Sequence, residues 1–196
     1  MWRHKKPSLA ALLFMAFLPA TLMTGIHFSR IILTDNFHEV VPGQLYRSAQ
    51  PSGADLSDYK SRYGIRTVVN LRGEGRSAWY REEAETTARE GLVLINFRMS
   101  AYRALTLEES RALVAILRDA PKPILIHCKS GADRTGLASV IYESQIAGKD
   151  EKTAERQLSI AFGHFAVPFL SSAYAMDESW KDFEATLDGL DQQPKT

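Results

Sequence analysis

The sequence predicts an α/β domain in which helices flank a parallel-rich central sheet, with a transmembrane helix ahead of it at the N-terminus. Two patterns indicate this arrangement. From residue 37 onward, short apolar runs alternate with longer stretches of helical periodicity, as in parallel-sheet folds. Before that point, Leu9 to Ile26 is a run of eighteen residues without a charge, close to the roughly 20 that span a bilayer. The chain therefore divides into an N-terminal segment (residues 1–36), one domain (residues 37–190) and a disordered tail (residues 191–196).

The predicted elements alternate along the domain. Strands are predicted for residues 45–47, 67–71, 93–97 and 124–127, and helices for 54–63, 80–90, 106–118, 135–147, 151–161 and 172–187. Gly148 separates two of these helices, and Gly163 and Pro168 interrupt the chain before the last one. Thr106 and Glu109 have the spacing of a capping box at a helix start. In such a fold the functional site is expected at the carboxyl ends of the strands.

The most informative segment reads His-Cys-Lys-Ser-Gly-Ala-Asp-Arg-Thr-Gly, residues 127–136, between a predicted strand and a predicted helix. It holds Cys128, the only cysteine of the chain, six residues before Arg134. A helix N-terminus and a nearby guanidinium can lower a cysteine pKa from about 8.5 to roughly 3.5–7.5, which makes the thiolate available as a nucleophile at neutral pH. The segment therefore predicts a reactive cysteine in an anion-binding loop.

Three small residues and one arginine suit this loop to a phosphoryl group. Gly131 permits a tight turn, and its neighbours Ser130 and Ala132 leave room for successive backbone N–H groups to converge on the oxygens. Arg134 offers a rigid planar fork that can hold two of those oxygens at once. The loop is therefore expected to bind phosphate through its backbone and through one guanidinium.

Two further residues are expected to support the cysteine. Thr135 is placed to cap the following helix and to give its hydroxyl to the thiolate, and His127 to order the loop by hydrogen bonding. The alternative is that Cys128 is a small buried apolar residue, as lone cysteines often are. Because the apolar strand, the internal glycine and the Thr-Gly helix start lie in register around it, the catalytic interpretation is preferred.

The pattern His-Cys-x5-Arg-Thr-Gly resembles the signature of the cysteine-dependent protein tyrosine phosphatase superfamily, in its dual-specificity branch. Residues 43–51 and 64–72 are similar to the opening strands of compact dual-specificity-like phosphatases, so the resemblance covers residues 37–187. It implies that Cys128 is the nucleophile, that Arg134 clamps the phosphate and that the backbone from Lys129 to Arg134 cradles it. It implies no metal and no cofactor. Rhodanese-like sulfurtransferases also place a cysteine loop before a helix, but they do not require the Arg-Thr-Gly sequence.

The general acid is the point at which the chain departs from the pattern of many relatives, which supply an aspartate from a separate loop. The corresponding residues 96–105 contain no carboxylate. Asp133 is therefore the first candidate for the acid, by resemblance to myotubularin-like phosphatases whose loop also reads Asp-Arg-Thr. The alternative is that Asp133 orients the loop or pairs with a basic neighbour. The first carboxylates after residues 96–105 are Glu108 and Glu109, and the start of a helix is a sufficient reason for their presence.

Basic residues near the loop bear on the substrate. Lys129 follows the nucleophile directly, which resembles phosphatases that act on acidic lipid headgroups; an exposed lysine on the loop rim is an equal alternative. Arg98 and Arg103 are candidates for another wall of the pocket, but the sequence leaves their direction open. His164, between a glycine and a phenylalanine, is expected to be structural.

The N-terminal segment predicts the location of the domain. Basic residues at positions 3–6 precede the apolar run, which places the tip in the cytoplasm and the domain across the membrane, in a bacterium the periplasm. A cleaved signal peptide is the alternative, but no Ala-x-Ala site follows the run. The net charge of +1, without a basic block, gives no case for nucleic acid as a partner. A single cysteine excludes an intramolecular disulfide.

Together these observations predict a membrane-anchored phosphoric monoester hydrolase that forms a phospho-cysteine intermediate. A phosphotyrosine or phosphoserine protein is the substrate that the resemblance implies. A phospholipid headgroup such as phosphatidylglycerophosphate is the alternative, which the anchor and Lys129 favour. An inactive phosphate-binding module is a third interpretation, and the joint presence of Cys128, Arg134 and Thr135 argues against it.

Overall fold

A computed structural model describes residues 8–168 and 170–191 of the chain. Its centre is a five-stranded sheet with the order β1-β2-β5-β3-β4. The strands are β1 (His38–Val41), β2 (Leu45–Ser48), β3 (Thr67–Asn70), β4 (Val93–Asn96) and β5 (Ile124–His127). All neighbours pair in parallel except β1, which is antiparallel to β2 at the edge. The predicted parallel-rich sheet is confirmed, and β1 is the one strand that the sequence analysis missed.

Strand β5 lies in the middle of the sheet and is buried on both faces, which explains its uninterrupted apolar sequence. Ile124 and Ile126 belong to the core on one face, together with apolar residues of four helices. Leu125 belongs to a smaller core on the opposite face. Because β5 is fixed from both sides, the residues that follow it are held firmly in place.

The helices in chain order are α1 (Leu9–Leu33), α2 (Gly53–Tyr63), α3 (Ala78–Glu90), α4 (Leu107–Asp119), α5 (Asp133–Gln145), α6 (Glu151–Ala154) and α7 (Tyr174–Asp191). The capping box that the sequence predicts is present: the Thr106 hydroxyl accepts from the Glu109 N–H, and the Glu109 carboxylate accepts from the Thr106 N–H. The predicted bounds of most elements are confirmed to within a few residues.

The predicted helix over residues 151–161 is wrong. Only α6 is helical there, and two 3-10 turns follow it at Glu155–Gln157 and Ile160–Phe162. The chain leaves the helical conformation at Leu158, where ψ is 74°. This break brings the Gln157 carbonyl and side chain to a buried arginine of β2, so a tertiary contact outweighs the local helical pattern.

The start of α5 also differs from the prediction. The helix begins at Asp133 rather than at Thr135, and its N-cap is Ala132, which makes no side-chain cap. Thr135 is therefore the third residue of the helix and does not cap it. Starting the helix earlier places Asp133 and Arg134 in its first turn, directly beside the loop.

The N-terminal segment forms the helix α1, which runs past Ile26 and through Arg30 to Leu33. In the part of the chain that the structure describes, we find no helix long and apolar enough to cross a membrane. The predicted transmembrane helix is thus not confirmed. The predicted basic tip (residues 3–6) and residues 192–196 of the predicted tail lie outside the described residues.

The end of α1 is attached to the domain rather than separated from it by a free linker. His27 Nε2 lies 2.8 Å from the Ile160 carbonyl oxygen. The Asn36 amide, which is fully buried, donates to the Phe162 carbonyl at 2.8 Å and to the Ser130 carbonyl at 3.1 Å. Residues just beyond α1 therefore contact the loop that contains Cys128.

Candidate active site

Cys128 lies at the carboxyl end of β5, in the short loop that leads into α5. Its side chain is free of any disulfide and only 2% exposed. The loop between strand and helix is the place at which parallel sheets bind their ligands. The local order that the sequence predicts, apolar strand, loop and helix, is confirmed.

The backbone of the loop is turned so that its carbonyl groups face the protein. Each of four consecutive carbonyls accepts a hydrogen bond from outside the loop. The pairs are Lys129 O with the Gln50 N–H (3.3 Å), Ser130 O with Asn36 Nδ2 (3.1 Å), Gly131 O with Arg47 Nη2 (2.7 Å) and Ala132 O with Arg47 Nη2 (3.3 Å). With the carbonyls bonded on one side, the peptide planes direct their N–H groups to the other.

The N–H groups of residues 129–134 find no hydrogen-bond acceptor among the described residues. Such a row of unbonded N–H groups at a helix N-terminus is an anion-binding nest. Gly131 makes the turn possible. Its φ is +70°, and a Cβ at this position would lie 2.7 Å from the backbone of Ser48 and Ala49.

Arg47 is the residue that fixes this arrangement, and the sequence analysis did not single it out. Its side chain is fully buried in β2, where it bonds to the loop, donates to the carbonyl and side-chain oxygen of Gln157 and packs 4.1 Å from the Phe162 ring centroid. Burial lowers the pKa of Arg47 to about 9, while the nearby Cys128 opposes this decrease. An arginine in an otherwise buried strand was the signal that could have revealed it.

His127 anchors the other end of the loop. Its Nε2 atom lies 2.5 Å from Glu83 Oε1, and both side chains are completely buried. The other oxygen of Glu83, Oε2, accepts a hydrogen bond from the Asn70 amide at 3.0 Å, at the end of the neighbouring strand β3. His127 Nδ1 lies 3.4 Å from the Cys128 carbonyl oxygen. The predicted ordering role of His127 thus has a structural basis, with Glu83 as a partner that the sequence analysis missed.

Thr135 is fully buried, and its hydroxyl has no hydrogen-bond partner in the described residues. The predicted hydrogen bond to Cys128 is therefore not made in this structure. The hydroxyl has lost its water partners without a protein replacement, which leaves it able to donate to a charged neighbour.

An open cavity of about 700 Å³ lies over the loop. Its charged lining consists of Arg72, Arg98, Arg103, Lys129, Arg134 and Glu109. Arg98 and Arg103 do form a wall of the pocket, as the sequence analysis considered, and Lys129 faces the same space. Arg72 and its stacking partner Trp79, 3.5 Å from the guanidinium to the ring centroid, were not anticipated.

Asp133 is bonded to His164, which the sequence analysis expected to be structural. His164 is 4% exposed, and each of its ring nitrogens meets a carboxylate: Nδ1 lies 2.7 Å from Asp133 Oδ1 and Nε2 lies 3.0 Å from Asp177 Oδ2. Burial on its own lowers the pKa of His164, but the hydrogen bond to Asp133 and the charge of Asp177 outweigh it and raise the pKa. An imidazolium can donate to both carboxylates, whereas a neutral ring can donate to only one.

A cysteine in a loop of inward-facing N–H groups, followed by an arginine on the next helix, defines the class of cysteine-dependent phosphatases. Residues 34–166, more than half of the chain, match the family described as "DSP-PTPase phosphatase fused to NAD+ Kinase". The chain belongs to this family. The resemblance to the dual-specificity branch is therefore confirmed.

Relatives and solved structures agree with this assignment. Dual specificity protein phosphatase TpbA of Pseudomonas aeruginosa is 29% identical to this chain over 123 residues. These residues are 63% of this chain and 53% of TpbA. The chain thus spans about half the length of the curated relatives it matches. The crystal structure of TpbA with pTyr superposes with a TM-score of 0.55 at 23% identity, over 77% of this chain and 91% of that chain. The crystal structure of the catalytic core of the PP-IP phosphatase SIW14 from S. cerevisiae, in complex with citrate, superposes with a TM-score of 0.55 at 24% identity. The match covers 81% of this chain and 94% of that chain. At these identities the two structures establish the fold alone.

The paired carboxylates predict a pH-dependent contribution of His164 to stability. Because the folded-state pKa is raised, the contribution is complete below the unfolded value of about 6.5 and is lost as the pH rises through the folded value. We expect His164→Asn to lower the free energy of unfolding by about 1.5–3 kcal/mol at pH 6 and by much less at pH 9, in urea titrations.

His38→Asn is the matched control. Burial and the charges of Arg47 and Arg30 lower the pKa of His38. The contribution of His38 to the free energy of unfolding should therefore decrease as the pH falls, which is the opposite of the trend for His164. A stability difference for His164→Asn that stays constant between pH 6 and pH 9 would contradict the pairing.

Proposed function

We propose that the chain hydrolyses phosphoric monoesters through a phospho-cysteine intermediate on Cys128. The observation that carries the proposal is the loop after Cys128, whose carbonyls bond to other parts of the protein and whose N–H groups have no acceptor among the described residues. This geometry suits the three oxygens of a phosphoryl group better than any neutral ligand. Family membership supports the same chemistry.

In the proposed reaction, Cys128 Sγ attacks phosphorus as a thiolate, and the bond between phosphorus and the leaving oxygen breaks. The loop from Lys129 to Ala132 and the first turn of α5 hold the phosphoryl oxygens through backbone N–H groups, and Arg134 binds two of them. The leaving oxygen takes a proton. Water then attacks the phospho-cysteine, releases inorganic phosphate and restores the thiolate; donation from the Thr135 hydroxyl, which has no partner in the described residues, would stabilise this thiolate as the leaving group.

Two substrate classes follow from the chain. A phosphotyrosine or phosphoserine protein is favoured by family membership and by the complex of the similar TpbA with pTyr. A phospholipid headgroup such as phosphatidylglycerophosphate is the second candidate, favoured by the basic residues that line the cavity beside Lys129. Phosphate release from a phosphotyrosine peptide and from phosphatidylglycerophosphate in mixed micelles compares the two.

We expect Cys128→Ser to lower phosphate release by roughly 10³-fold or more on either substrate, because the hydroxyl is a far weaker nucleophile at neutral pH. The measurement is release of inorganic phosphate by the full chain, with thermal unfolding as a check of the fold. Ser61→Ala, an exposed change on α2, serves as the control and should leave the rate unaltered. Activity of Cys128→Ser within tenfold of wild type would disprove the mechanism.

Asp133 is the proposed general acid. Its carboxyl group begins α5 beside Arg134, is one-third exposed and shares a hydrogen bond with His164 through Oδ1. Its other oxygen, Oδ2, has no hydrogen bond among the described residues, and the proposed role assigns this oxygen to the leaving group. In the proposed role, the Asp133 carboxyl group binds a proton and then gives it to the leaving oxygen.

If Asp133 is the general acid, the loss of turnover in Asp133→Asn should depend on the leaving group of the substrate. An alkyl phosphate needs protonation of its leaving oxygen, so its turnover should fall by roughly 10²–10⁴-fold, whereas p-nitrophenyl phosphate, whose leaving group is stable as an anion, should lose much less. Steady-state rates on both substrates test this. Equal losses on the two substrates would instead assign Asp133 to the orientation of the loop.

Membrane attachment and location are a separate proposal, which rests on the sequence. The uncharged run from Leu9 to Ile26 behind basic residues supports a single-pass anchor with the domain on the far side of the membrane. The exposed apolar side chains of α1, such as Phe17 and Met23, are compatible with a lipid environment.

Fractionation of a bacterial host that expresses the full chain tests the proposal. We expect the chain in the membrane fraction after carbonate extraction, and digestion of its domain by protease added to spheroplasts. A chain that is extracted into the soluble fraction is not anchored, and a protease-resistant domain in spheroplasts would reverse the topology.

A further inference from the structure

We infer that the cavity over the loop binds a second phosphate group of the substrate, next to the one that is hydrolysed. The inference rests on the proposed function and specifies its substrate class: a molecule or lipid headgroup with two phosphate groups a few ångströms apart. The residues that carry it are Arg72, Arg98 and Lys129, which we call the basic wall.

The charges of the cavity are strongly unbalanced. Five cationic side chains line it, against the single carboxylate of Glu109. The chain as a whole has a net charge of only +1, so the excess is local to this surface. A concentration of one sign of charge in a concave site attracts ligands of the opposite sign.

Glu109 does not offset the basic wall, because it already has a partner. Both of its oxygens bond to Arg103, at 2.6 and 2.9 Å, and one also accepts the Thr106 N–H at 2.8 Å. The Arg103 hydrogen bond is the main reason why the pKa of Glu109 is lowered to about 2. This pair is therefore neutral as a unit, and four cations remain: the basic wall and Arg134.

Arg72 is held in position for an anion. Its guanidinium stacks 3.5 Å from the Trp79 ring centroid and donates to Gln50 Oε1 at 2.8 Å. Burial and the positive charge of Arg134 both lower the pKa of Arg72. The two guanidinium groups thus repel each other across one cavity, and an anion between them relieves this repulsion.

Arg98 and Lys129 are the other two residues of the basic wall. Neither residue is in an ion pair anywhere in the described ranges. The Arg98 side chain packs against Gly73, and a Cβ added to Gly73 would lie 2.7 Å from the Arg98 Cβ. The Arg98 guanidinium donates to the Glu74 carbonyl. A side chain larger than glycine at position 73 would push Arg98 away from this path.

The scissile phosphate does not account for the whole wall. The loop N–H groups and Arg134 suffice for its three oxygens, while Arg98 lines the cavity from a separate segment, the one after β4. A second phosphate gives the planar fork of Arg98 a partner with matching geometry. It also places negative charge in the cavity that Arg72 and Lys129 line.

Competition against p-nitrophenyl phosphate hydrolysis by the full chain tests this inference. Glucose 1,6-bisphosphate is compared with glucose 6-phosphate, and phosphatidylglycerophosphate with phosphatidic acid in the same mixed micelles. We expect the two-phosphate member of at least one pair to have an inhibition constant about tenfold lower than its partner. A preference within the glucose phosphate pair would indicate a soluble substrate, and a preference within the phospholipid pair would indicate a lipid headgroup.

Arg98→Gln should remove most of the preference for the two-phosphate member, and Arg72→Gln should act in the same direction. Arg111→Gln, an exposed arginine of α4 outside this cavity, is the matched control and should keep the preference. The wild-type preference should also decrease as sodium chloride is raised.

Equal inhibition by both members of both pairs, or an unchanged preference in Arg98→Gln, would overturn the inference. An effect of Arg98→Gln confined to phosphopeptides with acidic neighbours would also overturn it, in favour of a protein substrate. Failure of the proposed function is a different result: the wild type would then not hydrolyse p-nitrophenyl phosphate, or Cys128→Ser would retain activity.

Discussion

The buried guanidinium of Arg47 is the interaction on which the candidate site depends. It binds two carbonyl groups of the loop from below and joins them to Gln157 on the segment after α6. Leaving a group of this kind buried without partners would cost several kcal/mol. The loop carbonyls supply those partners, and by doing so they turn the loop N–H groups away from Arg47. Stability of the core and anion binding therefore rest on the same contacts.

The loop is also connected to distant parts of the chain. Asn36, just beyond α1, bonds to the loop at Ser130, and His127 connects the loop to the buried Glu83 of α3. His164 then joins the first turn of α5 to Asp177 at the start of α7. Each contact uses a polar or charged group that is buried and therefore needs its partner. The loop is thus held on several sides before any substrate binds, which is the preorganisation that transition-state stabilisation requires.

The elements that could be predicted from the sequence are those whose determining interactions are local. The strand, loop and helix around Cys128 were predictable because a buried apolar run, a glycine and a helix start follow one another directly. The capping box of Thr106 and Glu109 was predictable for the same reason. The helix predicted over residues 151–161 was wrong because Gln157 binds Arg47, which is 110 positions earlier in the chain. The spacing of residues along the chain contains no information on such a contact.

The sequence by itself determined the parallel-rich fold, the strand, loop and helix order around Cys128 and Arg134, and the membership of the phosphatase family. Only the tertiary structure decided that Arg47 supports the loop, that Asp133 is bonded to His164 and that Arg72 and Arg98 face the same cavity as Lys129. The physical reason is the range of the interactions. Backbone propensity and hydrophobic period act over a few residues, whereas buried charges are placed by partners that the fold brings together from separate strands and helices.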